Sequence, residues 1–111
     1  MRLALAALAA VTATGWHVIG RSPAVRGMVA DVAARASARH PHALAVRVVG
    51  GGSITGSATV RCTRRGRART IQASYVGRFA VLELPLAQPT GCTVAARATG
   101  TGEIVLEILA R

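Results

Sequence analysis

The chain has 111 residues, a length that suits one domain. Its 14 basic residues are all arginine and face only 4 acidic ones, so the formal net charge of +10 favours anionic partners. Aromatic residues make up 3% of the chain, which disfavours proteins that stack single-stranded bases on aromatic rings.

Residues 1–20 are predominantly apolar and carry one charged residue, Arg2. A short basic start followed by an apolar run is typical of a secretory signal peptide. The apolar stretch continues through Trp16 to Gly20, and about 18 residues is the lower limit for a membrane-spanning helix. Three interpretations stay open: a cleaved signal peptide, an uncleaved transmembrane anchor and a buried helix. The first two place the rest of the chain outside the cytoplasm, as a secreted or membrane-anchored protein.

Residues 21–42 predict a short helix or linker. Ser22 suits a helix N-cap, and Pro23 suits the first helical position. Four apolar residues recur at helical spacing: Val25, Met28, Val29 and Val32. We therefore expect a short amphipathic helix that lies on a membrane or packs on the following domain.

From residue 43 the apolar pattern becomes alternating, as in half-buried strands. Six such segments, separated by turn signals, lie between residues 43 and 111. They predict a mainly β fold: a small antiparallel β-sandwich over residues 43–111, preceded by the N-terminal apolar helix and the amphipathic helix. Cys62 and Cys92 lie on the apolar faces of two of these strands. We expect them to form a disulfide if the domain is exported; in a cytosolic protein they would be two reduced thiols.

A Gly-x-Phe strand leading to a Leu-Pro turn occupies residues 77–85, and an alternating apolar strand ending at a glycine occupies residues 92–100. With the Gly-x-Ala-x-Val run at residues 56–60, they resemble the carboxypeptidase-regulatory-like, or transthyretin-like, domain family over residues 43–109. The resemblance implies a non-catalytic module of exported proteins with a structural or binding role. The order of apolar helix, amphipathic extension and disulfide-closed sheet is also similar to pilin-like and TadE-like exported subunits.

The spacing of polar residues gives no support for catalysis or metal binding. Glu103 and Glu107 share one face of the last predicted strand, where we expect them to be solvated. His40 and His42 with the two cysteines fit no zinc spacing, and no Gly-x-Ser-x-Gly elbow is present. We predict a non-enzymatic protein with no cofactor and no small-molecule substrate.

The candidate site is an arginine-rich turn around Gly66. Five arginines fall within nine residues: Arg61, Arg64, Arg65, Arg67 and Arg69. On a hairpin, Arg61 and Arg69 would project on either side while the other three crown the tip. The cluster suits an anionic envelope component or a membrane surface, and nucleic acid less well; the alternative is a solvated loop. Two hypotheses follow: a structural or interaction module of the cell envelope, with a protein partner as one option, or a binder of anionic polymer or nucleic acid through residues 61–69.

Overall fold

A computed structural model describes residues 15–111; the candidate signal peptide or anchor falls mainly on residues 1–14, outside the described part. Six strands form one antiparallel sheet: β1 (His17–Arg21), β2 (Val25–Arg39), β3 (Leu44–Arg64), β4 (Arg67–Val76), β5 (Phe79–Leu82) and β6 (Gly91–Ala110). The prediction of a mainly β, antiparallel domain is confirmed. Within residues 15–111, no helix has the length and apolarity that a membrane span requires.

The two long strands, β3 and β6, stay paired along their length and bend near Gly50, so that the sheet folds into two layers. The first layer has the order β1–β6–β3–β5 and uses the N-terminal part of β3 with the C-terminal part of β6. The second layer has the order β2–β6–β3–β4 and uses the remaining parts of both strands. The layers pack face to face: Gly20 of β1 lies against Arg35 and Ala36 of β2. The result is a sandwich-like arrangement.

Glycines make the bend between the layers. Gly50 and Gly51 have φ values of 85° and 63°, a region that favours glycine. A Cβ at Gly51 would also overlap the Ile104 side chain and the Thr101 carbonyl oxygen. The Arg78 guanidinium donates hydrogen bonds to the carbonyl oxygens of Gly50 and Gly51 and so clamps the bend. The glycine run at residues 50–52 is therefore a corner within one continuous strand.

The core lies between the two layers. Its largest fully buried aliphatic side chains come from β3 and β6: Leu44, Val46, Val60, Ile104, Leu106 and Ile108. Cys62 and Cys92 are directly paired in the β3–β6 ladder and form the predicted disulfide. Both are buried, at 0% and 4% exposure. The bond ties the two long strands together near the β3–β4 hairpin.

The predicted helix over residues 21–42 is wrong. The structure has β2 from Val25 to Arg39. β1, His17–Arg21, also takes up residues 17–20 of the segment predicted to be an apolar helix. From Ala30 onward, buried or half-buried residues alternate with exposed ones, and Val32 is buried between exposed neighbours. The two-residue alternation of the later part of this segment therefore decides its structure, against the helical spacing of its apolar residues. Its valines are β-branched, which also favours a strand. Residues 17–39 thus belong to the same sheet as residues 44–110.

Ser22 is not the helix N-cap that the sequence predicts; it hydrogen-bonds to the backbone of β6. Its hydroxyl accepts a hydrogen bond from the Leu106 amide at 2.9 Å, and its own amide donates to the Leu106 carbonyl oxygen at 2.8 Å.

Within β2, a bulge between Gly27 and Ala30 leaves Met28 and Val29 exposed. The residues that gave the helical pattern are therefore partly surface residues at a strand irregularity.

Candidate anion-binding face

The β3–β4 hairpin turns at Arg65 and Gly66. Both residues have positive φ, 50° and 79°, as in the type I′ turns that match the twist of a two-stranded hairpin. Arg61 pairs with Thr70 and Arg69 pairs with Cys62, so the two arginines project from opposite faces of the hairpin. All five arginines of the sequence-based candidate site therefore lie on this one hairpin, at Arg61, Arg64, Arg65, Arg67 and Arg69.

The outer face of the second layer is polar and basic. Three arginines from three strands point outward from it: Arg35 of β2, Arg61 of β3 and Arg97 of β6. Arg35 and Arg61 border a shallow, open depression. Hydroxyl groups line the same depression: Ser37, Thr59, Thr70 and Thr93. We call these seven residues the basic face; Arg61 joins it to the hairpin.

Strand spacing fixes the distances between these arginines. With strands about 4.8 Å apart and residues about 3.4 Å apart, the Cα atoms of Arg35 and Arg61 are about 12 Å apart. The same spacing separates Arg61 from Arg97 by about 14 Å. Arginine side chains are long enough for neighbouring guanidinium groups to bind successive anionic groups of one chain-like ligand. Sequence reasoning missed Arg35 and Arg97 because only the ladder register brings them beside Arg61.

These three arginines have no acidic partner among residues 15–111: the described ion pairs involve Arg21, Arg26 and Arg47. The carboxylate on the same outer face, Asp31, accepts a hydrogen bond from the Thr99 hydroxyl at 2.9 Å. Three arginines therefore share this outer face with one carboxylate, and two positive charges remain in excess there.

No aromatic ring lies on the basic face. Tyr75 points into the core, where its hydroxyl donates a 2.7 Å hydrogen bond to the Arg97 carbonyl oxygen. Burial raises the pKa of the Tyr75 phenol to about 12. Trp16 and Phe79 are located in the first layer and contact each other edge to face. The basic face therefore presents charge and hydroxyl groups, and no ring on which a base could stack.

The structure also shows an ionic cluster that the sequence does not predict. Glu107, expected to be solvated, is 4% exposed and lies between two arginines. Its Oε2 accepts hydrogen bonds from Arg21 Nε at 2.9 Å and Nη2 at 2.6 Å, and its Oε1 accepts one from Arg47 Nε at 2.8 Å. Burial acts to raise the pKa of Glu107, but the hydrogen bonds and charges of Arg21 and Arg47 outweigh it and hold the pKa below its usual value.

Metal-binding groups do not cluster in the part of the chain that the structure describes: no three His, Cys, Asp or Glu side chains there lie close enough to hold an ion. His40 is an exposed residue of positive φ just after β2, and His42 is exposed two residues later.

No family model matches the sequence, and no curated protein matches it. Among solved structures, the chain is similar to a carbohydrate-binding module, TmCBM61, in complex with beta-1,4-galactotriose. The identity is 9% and the TM-score is 0.41, over 88% of this chain and 90% of that chain. A similarity at this level carries no argument about function.

Proposed function

We propose that this protein is a non-enzymatic binding module of the cell envelope that holds an anionic polymer on its basic face. The observation that carries the proposal is the basic face itself. Three arginines and four hydroxyl groups share one flat sheet surface, no described carboxylate pairs with those arginines, and the surface continues into the arginine-rich hairpin.

A polymer fits this surface better than a small molecule. The depression is shallow and open, so a small ligand would lose little contact with water there. The charges extend over more than about 14 Å of the layer, a spacing that suits repeated anionic groups. An acidic polysaccharide or wall polymer is favoured over single-stranded nucleic acid because the basic face has no aromatic residue for stacking.

An extracytoplasmic location is consistent with the disulfide. Such bonds persist in oxidising compartments and are rare in reducing ones. The apolar residues 1–14 supply a signal peptide or anchor in this proposal. The resemblance to transthyretin-like modules of exported proteins points to the same class of role.

The test measures binding of heparin, used as a soluble acidic polysaccharide, over a range of salt concentrations. Arg35→Gln, Arg61→Gln and Arg97→Gln should each weaken binding several-fold at low salt. For nucleic acids, each charge contact contributes about 0.9 to the slope of log K against log salt, and we expect a similar loss for each arginine removed. Arg26→Gln is the matched control, since it removes the same charge from an arginine that pairs with Glu103 at 3.6 Å.

Two results would overturn the proposal. Heparin binding that is absent at low salt would exclude a polyanion site. An equal loss in Arg26→Gln and in the three face variants would show that net charge alone attracts the polymer. Tighter binding of double-stranded DNA than of heparin, with the same sensitivity to Arg61→Gln, would reassign the face to nucleic acid.

A further inference from the structure

The outer face of the first layer is apolar, unlike that of the second. Four large apolar side chains on it are exposed: Val18 at 37%, Phe79 at 41%, Val49 at 49% and Val81 at 63%. The register confirms that they share one side of the sheet. Val81 pairs with Ala45, which pairs with Leu109, which pairs with Val18. Ala45 and Leu109, which lie between Val81 and Val18, are 0% and 2% exposed, so the four exposed side chains surround a covered apolar strip. Exposed apolar side chains that cluster on one sheet face mark an interaction site more often than scattered ones do. We call these four residues the apolar face.

Positive charge is set into the centre of this face. Phe79 pairs with Arg47, and Arg47 pairs with Glu107. Arg21 and Arg47 together neutralise only one carboxylate, so the cluster has one surplus positive charge. Their side chains are 60% and 36% exposed, whereas that of Glu107 is 6% exposed. An approaching anion therefore meets the guanidinium groups before the carboxylate.

Trp16 places a second aromatic ring beside Phe79 of the apolar face. The rings of Trp16 and Phe79 lie 6.0 Å apart, edge to face, and the Arg111 guanidinium lies 4.9 Å from the Trp16 ring centre. Aromatic rings beside arginines are favoured at the headgroup level of a bilayer.

A second copy of the chain is a poor occupant. Each copy has a net charge of +10, and pairing two apolar faces would bring the Arg21 and Arg47 clusters of both copies together. An anionic bilayer complements both properties: its interface accepts the apolar side chains, and its phosphates bind the surplus guanidinium charge. We propose that the apolar face docks this module on an anionic lipid bilayer, with Phe79 and Val81 in the headgroup region and Arg21 and Arg47 on lipid phosphates.

The test uses the full chain with two kinds of vesicle, pure phosphatidylcholine and a phosphatidylcholine–phosphatidylglycerol mixture. Residues 1–14 are predominantly apolar, and an apolar segment can bind lipid by itself, so the readout must report on the face rather than on total binding. Hydrogen exchange of β5, residues Phe79–Leu82, provides that readout. We expect exchange there to slow severalfold on anionic vesicles and to stay unchanged with phosphatidylcholine alone.

A pair of matched variants makes the test specific. Val81→Asp places a negative charge on the apolar face and should abolish the slowing of β5 exchange on anionic vesicles. Val76→Asp makes the same change at a valine that is 82% exposed in β4, outside this face, and should leave the slowing of β5 exchange as in the unaltered chain. The exchange measurement on the unaltered chain decides the proposal even where Val81→Asp does not fold.

Three results would overturn the proposal. The first is vesicle-bound protein whose β5 exchanges as fast as in solution. The second is an equal loss of β5 protection in both valine variants. The third is protection of β5 that rises with protein concentration without vesicles, because it would assign the face to a second copy. Heparin binding is measured separately, so failure here leaves the basic-face proposal intact.

Discussion

Removing the Cys62–Cys92 disulfide is expected to cost the domain much of its stability. The bond closes a loop of 30 residues. In the chain-entropy model, a loop of this size restricts the unfolded chain by about 3.6 kcal/mol at 25 °C. Replacing both buried cysteines with alanine removes apolar contacts as well, which adds about 1–2 kcal/mol. The total, about 5 kcal/mol, matches the whole stability of a marginal domain.

Urea unfolding monitored by circular dichroism separates these two contributions. The reduced wild-type chain keeps both sulfur atoms, so it should lose only the entropic part, about 3.6 kcal/mol. The C62A/C92A double variant should lose both parts. A reduced chain within about 1 kcal/mol of the oxidised one would refute the reasoning, since the unfolded state would then be compact without the bond.

The other predictions concern the buried polar contacts. Glu107→Gln should destabilise the fold by about 2 kcal/mol, less than a fully buried pair would lose, because Arg21 and Arg47 stay partly exposed. Since the folded pKa of Glu107 is lowered, its contribution is complete above the ordinary value of 4.5 and disappears as pH falls through the folded pKa. Acid titration of thermal unfolding should therefore show a shallower decline in Glu107→Gln than in the wild type. Gly56→Ala should cost about 1–3 kcal/mol in urea unfolding, because a Cβ would overlap both the Tyr75 ring and the Arg97 carbonyl oxygen. A neutral result would contradict this, since the ring and the neighbouring strand would both have to shift at no cost. Tyr75→Phe should cost about 1 kcal/mol in the same assay through the lost phenol hydrogen bond, and a stability equal to that of the wild type would contradict this.

The sequence predicts which parts of residues 43–111 form strands, but not that some of these parts join into one long strand. Six alternating segments are expected there, and the structure has four strands, because β3 and β6 each include two of the segments. Glycines such as Gly50 and Gly102 indicate a break in the pattern. Whether a glycine ends a strand or bends it depends on whether the next segment keeps the same partner strand. Here β3 and β6 stay paired on both sides of the bend, which no local pattern reveals.

The error over residues 21–42 has a similar origin. Val25, Met28, Val29 and Val32 fit a helical spacing, and the alternation that begins at Ala30 is short enough to overlook. The N-terminal part of β6 pairs with β3 on one side only, and β2 satisfies the hydrogen-bonding groups on the other. The need to pair the free edge of β6 exists only in the assembled sheet. Tertiary structure therefore decides whether residues 25–39, which locally fit either a helix or a strand, form a strand.

The candidate site was only partly predictable for the same reason. The hairpin arginines can be identified from the sequence because they lie close together along the chain. Arg35 and Arg97 each stand alone in the sequence and reach Arg61 only through the register of three strands. Glu107 shows the converse: its alternation places it correctly on the outer face, but its burial depends on Arg21 and Arg47 from two neighbouring strands.

The two outer faces differ although the same two strands build them. In β6 the odd-numbered residues point outward in both halves, as Arg97 does in the second layer and Glu107 in the first. Outward positions in the second half-sheet are mainly hydroxyl and arginine residues, whereas those in the first are mainly apolar around one ionic cluster. The bend turns these two stretches of one strand toward opposite sides of the molecule, because the layers pack core to core. Substitutions at Gly50 or Gly51 should therefore disturb both faces together, whereas substitutions within one half-sheet should disturb only one.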